Sequence, residues 1–168
     1  LMEYWMEQSY TSGENIRTVY IERDFSRYEQ LSGVESAAKV FINDNAKAHT
    51  DKGNDISKMT VMAAEPDKFA KTAWFRDDLL PVQWYNYCNA LTNYNSGVLI
   101  SRSMANKYDI GFGDEISITW SGNDPLNATV LAIIDYWPGI NPNETLTNGS
   151  KKDFCVLNYN YVYNNTEI

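Results

Sequence analysis

The sequence predicts an α+β fold, a mixed or antiparallel sheet with helices packed on it. Three observations carry the prediction. At 115–120, Ile116, Ile118 and Trp120 alternate with Glu115, Ser117 and Thr119, the period of two that a half-buried strand needs. At 84–91, Trp84, Tyr87, Cys88 and Leu91 recur at spacings of three and four, which puts one apolar stripe on a helix. Strand and helix signals then alternate along the chain without an internal repeat, a heptad or a low-complexity tract.

Each element has its own local cause. A strand at 15–22 alternates Ile16, Thr18 and Tyr20 with Arg17, Val19 and Ile21. Asp24 is placed to cap a short helix at 25–31, which Gly33 ends, and 34–43 reads as a second strand. From 44 to 57 the residues are Asn, Asp, Lys, Ala and Gly with almost no apolar anchor, which predicts an exposed, mobile hairpin loop. A third strand at 58–64 leads into a helix whose first turn tolerates Pro66 and whose apolar face is Phe69, Ala70 and Ala73.

A second helix follows Arg76-Asp77-Asp78, with Pro81 near its start. Gly97 opens the apolar strand 98–100, Ser101 caps a helix at 102–108, and the turn 110–114 leads to a hairpin of strands 115–120 and 126–136. Pro138, Gly139 and Pro142 end the second strand; an Asn- and Thr-rich loop reaches about 152, and 153–159 is the last strand.

Length and composition bound the rest. At 168 residues the chain forms one domain, or one carrying a smaller lobe, with a division near 44–57 or a smaller lobe around 77–95. With 14 basic against 22 acidic residues the net charge is −8, which lacks the electrostatic footprint of a nucleic-acid binder or of a polybasic lipid patch. The two cysteines, Cys88 and Cys155, form no C-x-x-C pair and leave open either one long-range disulfide or two buried thiols. Apolar runs such as 130–134 fall far short of the ~18 residues of a membrane span. Both ends read as cuts from something larger.

Candidate chemistry is sparse. Gly111, Gly113 and Asp114 read as a structural turn: the glycines permit positive φ and Asp114 can accept backbone N–H bonds. A dinucleotide fingerprint fails there, because Ile116 occupies its third glycine position and no helix follows. His49, the single histidine, lies in the most polar stretch, so no catalytic triad is assigned, and one His with two distant Cys gives no zinc spacing. Asp51–Asp55 lacks the ligand alternation of a calcium loop, and adjacent Asp77 and Asp78 suit a helix start better than glycoside hydrolysis. No catalytic, metal or cofactor residue is assigned. Trp74, Phe75, Trp84, Tyr85 and Trp137 form the candidate interaction surface, and Tyr159, Tyr161 and Tyr163 would share one face of an extended segment.

The segment 97–138 reads GVLISRSMANKYDIGFGDEISITW, a turn, then NATVLAIIDYWP. This ordered series (strand, Ser-capped helix, hydrophobic-Gly-x-Gly-Asp turn, alternating strand, hairpin, apolar strand ending near Pro) resembles the extracytoplasmic core domain of FtsX/MacB-type ABC transporter permeases. Upstream, DFSRYEQLSGV at 24–34 and KMTVMAAEPDKF at 58–69 resemble the same family more loosely, while 44–57 and 138–152 are unmatched. The resemblance implies a MacB-like periplasmic core inserted between two transmembrane helices and held at the extracellular face of a bacterial cell membrane. It implies no chemistry and no cofactor in this domain, an ABC ATPase on a separate polypeptide, and an outer substrate or partner to which ATP-driven motion is relayed. On that basis 1–7 would continue a helix out of the membrane, 159–168 would lead back, and the termini would lie close together. The alternative is a secreted carbohydrate- or peptide-binding module that uses its surface aromatics.

Overall fold

In a computed structural model of the chain the described residues are 6–12, 15–21 and 25–166, the first two segments as backbone alone. Strands β1 (Met6–Ser12) and β2 (Asn15–Ile21) form an antiparallel hairpin, with Met6 opposite Ile21 and Glu7 opposite Tyr20. A helix through 1–7 is therefore not found at its last two residues; the first five, and both chain ends, lie outside the described residues. The cap Asp24 also lies outside them, and the short helix α1 (Ser26–Glu29) follows Phe25.

The remaining elements are β3 (Val40–Thr50), β4 (Asp55–Ala64), α2 (Pro66–Thr72), α3 (Trp84–Asn93), β5 (Gly97–Ser101), α4 (Arg102–Tyr108), β6 (Glu115–Thr119), β7 (Leu126–Ile134), β8 (Asp153–Asn158) and α5 (Tyr159–Asn165). The fold is α+β with a mixed sheet, as the sequence predicts, and the sheet closes on itself as a barrel in the order β3-β4-β8-β5-β7-β6. The pairs β4–β8 and β5–β7 are parallel, and the other neighbours are antiparallel.

Barrel closure explains the largest departure from the sequence-based expectation. The 44–57 segment is not a loop: β3 runs through it to Thr50, and only the tight turn at 51–54 separates it from β4. Its inward residues are Ala46, Ala48 and Ile56, all buried. A narrow barrel interior takes small side chains beside large ones, so alanines here do the work of an apolar anchor while scoring weakly as one. Two register irregularities in β3, at 43–46 and 46–48, keep those alanines inward. Three boundaries also move: 34–39 precedes β3 without regular structure, β7 ends at Ile134, and β8 ends at Asn158, whose side chain caps α5. Tyr159, Tyr161 and Tyr163 are thus helical rather than extended.

Two cores result from two faces. Inside the barrel lie Met59, Val61, Val98, Ile100, Ile116, Ile118, Val130, Cys155 and Leu157; on the outer face Met62, Leu99, Phe154 and Val156 are covered by α2 and α3. Strands β5 and β8 are buried along their whole length for this reason, which matches their continuous apolar runs. The predicted stripe of α3 is found: Trp84, Tyr87, Cys88 and Leu91 are its buried residues.

Chain direction assigns the ends. Helix α4 follows the end of β5, and α5 follows the end of the antiparallel β8, so the two helices stand at opposite mouths of the barrel. Met104 and Ala105 from α4, and Tyr159 and Val162 from α5, join the interior core. Because Val40 pairs with Ala64 and β4 runs parallel to β8, β3 begins at the same mouth at which β8 ends. The chain enters and leaves the barrel at the α5 mouth. The turns at 51–54 and 109–114 lie at the α4 mouth, tied by Asn54 Nδ2 donating to Tyr108 O at 3.2 Å.

Candidate functional site

The predicted aromatic surface is only partly a surface. Trp84 and Trp137 are 3% exposed and belong to the outer core. Phe69 stacks on Trp137 with centroids 6.1 Å apart, and Trp84 meets Phe69 and Trp137 edge-on at 6.1 Å each. Phe75 packs half-buried against this cluster, 6.0 Å from Trp84. Folding thus brings Phe75, Trp84, Tyr85 and Trp137 together, because α3 and the segment after β7 are laid across one sheet face. What remains outside is Trp74 at 82% exposure, with Val82 and Tyr85 half-exposed. These three belong to the α2–α3 connection and the first turn of α3. The Trp137 indole N–H finds no hydrogen-bond partner among the described residues.

The Gly-x-Gly-Asp turn is a fixed structure. Gly111 N–H donates to Asp114 Oδ2 at 2.8 Å, Gly113 N–H donates to Val130 O at 2.9 Å, and Lys52 Nζ lies 3.0 Å from Asp114 Oδ2. Lys52 also donates to the carbonyl of Asp109. The Gly111 amide first, and Lys52 second, hold the Asp114 carboxyl below its ordinary pKa. Gly113 takes a left-handed φ of 85°, but the other left-handed position is Asp109 (φ 52°) and not Gly111. Phe112 stands at the tip, exposed.

Two polar clusters escaped the sequence reading. At the start of β8, buried Asp153 accepts a hydrogen bond from Ser103 Oγ at 2.8 Å and lies 3.8 Å from Lys107 Nζ. Burial raises its pKa, against the pull of Ser103 and Lys107. Ser101 Oγ accepts from Met104 N–H at 3.3 Å, the predicted helix cap, and also from Phe154 N–H at 3.2 Å, which ties α4 to β8. Next to it, buried Lys152 Nζ donates to Asp44 Oδ1 at 3.2 Å and Glu144 Oε1 at 3.0 Å. Their only sequence signal is Lys152-Asp153 abutting an apolar strand, a charged pair that burial must compensate.

The other candidates stay apart. His49 is exposed and its Nδ1 lies 2.8 Å from exposed Asp55, a cross-strand pair, while Ser117 stands opposite His49 in the β3–β6 register. Asp78 pairs with Arg76 rather than capping α3. Cys88 and Cys155 are free and buried, in the outer and inner cores respectively. Burial, with a smaller push from Asp67, takes the Cys88 thiol up to about 12, and burial raises Cys155 too; neither is a nucleophile at neutral pH. Among the described residues no three His, Cys, Asp or Glu side chains cluster as metal ligands, and no helix is long and apolar enough to cross a membrane.

No protein-family profile matches the sequence, and no curated protein matches it. Among solved structures the chain is similar to a domain of a putative permease protein from Porphyromonas gingivalis, at 19% identity and a TM-score of 0.46 over 81% of this chain and 55% of that one. It is also similar to the extracellular domain of the noncanonic ABC-type transporter YknZ from Gram-positive bacteria, at 13% identity and a TM-score of 0.49 over 84% of this chain and 65% of that one. The chain therefore spans less than two thirds of either domain.

Proposed function

We propose that residues 1–168 form one extracellular domain of an FtsX/MacB-type ABC permease, without chemistry of its own, which relays motion of the membrane helices to a substrate or partner outside the cell. The observation that carries this reading is the shared mouth: β3 starts and β8 ends at the α5 mouth, so force applied there reaches the whole barrel. A closed sheet with a packed interior transmits such motion as a rigid body. The ordered series that resembles the permease family also folds as that resemblance implies, with Ser101 capping α4, the turn bonded through Asp114, and the hairpin β6–β7 returning into the sheet.

The ATPase acts through the intact permease, not through this domain. The test is purification of the intact protein from membranes of the cells that make it. An ABC ATPase that copurifies, with ATP turnover altered by clamping the α5 mouth, supports the reading; a protein recovered only from the culture medium with no ATPase overturns it. The exposed Trp74 and Tyr85 favour a second reading, a sugar- or peptide-binding module, which a glycan and peptide panel on the wild type and Trp74→Ala decides.

A further inference from the structure

The turn between α4 and β6 holds an aromatic ring in solvent on a backbone with little freedom to move. Ile110 anchors its start in the core, and its N–H donates to Ala105 O at 3.0 Å. The bonds of Gly111, Gly113 and Lys52 fix the rest. Between them Phe112 is 79% exposed. A ring on a loose loop can fold back onto the protein; here the fixed backbone denies it that path, and the flanking glycines offer no side chain to cover it. Such a ring loses little conformational freedom on binding, and buried aromatic anchors dominate interface energies.

The charges beside it are one-sided. Asp51, Asp55, Asp109, Asp114 and Glu115 face Lys52 and Lys107. Lys52 is engaged by Asp109 and Asp114, and Lys107 by Asp153 and the Tyr108 ring. Asp109 and Asp114 are engaged in turn by Lys52, and Asp55 by His49, so the rim of this mouth is acidic by the excess of five carboxylates over two lysines.

We infer that the Phe112 tip is a docking knob for an extracellular protein that carries an apolar pocket edged by Lys and Arg. The rim repels an anionic bilayer and a second copy of this chain, whose net charge is −8, and attracts a basic surface. The inference rests on the permease reading for the extracellular side and for the direction of the tip, away from the membrane.

The test places p-benzoylphenylalanine at position 112 of the intact protein in the cells that make it, with the same residue at exposed Tyr94 as control. Adducts are identified, and the captured protein is purified and titrated against wild type, Phe112→Ala and Trp74→Ala. We expect an adduct specific to position 112 that maps to an apolar site between basic residues. Phe112→Ala should weaken binding at least about tenfold, Trp74→Ala should leave it unchanged, and high salt should weaken it. Adducts only to lipid or to the chain itself, none above the Tyr94 control, or an affinity indifferent to Phe112→Ala would each overturn the inference. Membrane fractionation separates the two ideas: a soluble protein with the same basic partner sinks the permease reading and keeps the knob, and a membrane protein without that adduct does the reverse.

Discussion

Gly97 opens β5 next to its irregular joint with β7, and replacing it with alanine tests how the barrel is closed. A Cβ there would lie 2.1 Å from Leu131 Cδ1, 2.5 Å from Leu131 Cγ and 2.8 Å from the Tyr94 carbonyl oxygen. The Leu131 end can swing away, but the Tyr94 oxygen is backbone and already accepts the Gly97 N–H at 2.8 Å. Leu131 sits at the register shift between β5 and β7, so moving it disturbs the one irregular joint of that pair. Overpacking of this kind costs about 1–3 kcal/mol. The backbone of Gly97 is not left-handed, so alanine returns about 0.4–1 kcal/mol by restricting the unfolded chain. The net is a loss of about 1–2 kcal/mol, or roughly 2–8 °C in Tm for a chain of this size. Thermal and urea unfolding of Gly97→Ala, Leu131→Ala and the double variant measure it. Leu131→Ala should relieve the clash, so the double variant should be more stable than the two single losses added together. An unchanged Tm for Gly97→Ala would refute the close approach, and strictly additive losses would refute Leu131 as its cause.

Three further outcomes follow from the same geometry. Removing both negative charges beside the buried Lys152 ammonium, as Asp44→Asn with Glu144→Gln, should cost about 1–3 kcal/mol, because amide oxygens can accept from it but do not offset its charge, whereas Lys152→Met should cost less because its half-exposed acids return to water; urea unfolding compares them. The raised pKa of Asp153 means that the fold favours its protonated form, so its share of stability is present below the ordinary carboxylate pKa of about 4 and is lost as pH rises through the raised value; Asp153→Asn should flatten that decline in a series of unfolding curves. Trp84→Ala should destabilise by about 3–5 kcal/mol as a core truncation, and Trp74→Ala by less than about 0.5 kcal/mol, so that any effect of Trp74→Ala on ligand binding reports the surface itself.

Local signals were legible wherever side-chain chemistry and backbone geometry coincide. Ser101 announces the α4 cap, Pro66 the first turn of α2, and the 84–91 spacing the buried stripe of α3. Asp114 as the acceptor in its turn was legible for the same reason, since its bond to the Gly111 amide is made within three residues. The alanines of β3 were illegible, because a small side chain is apolar only weakly and becomes a core residue only when an opposite wall arrives. Trp84 carries two conflicting signals, a place on the apolar stripe of α3 and a place among the candidate surface aromatics, and Trp137 cannot be told from a surface aromatic by sequence, since its burial depends on two segments far apart in sequence meeting over one sheet face. Asp153 and Lys152 give no such signal, because charge at a strand start reads as solvated until the fold buries it.

The sequence by itself determined the alternation of strands and helices, the caps and turns that bound them, and the series of motifs that resembles a permease domain, because each depends on contacts within a few residues. Only the tertiary structure decided that the sheet closes through β3 and β6, that the chain enters and leaves the barrel at one mouth, and that Phe112 and Trp74 are among the aromatics left in water. Those are long-range choices, set by which distant strand completes each edge and which apolar face finds cover.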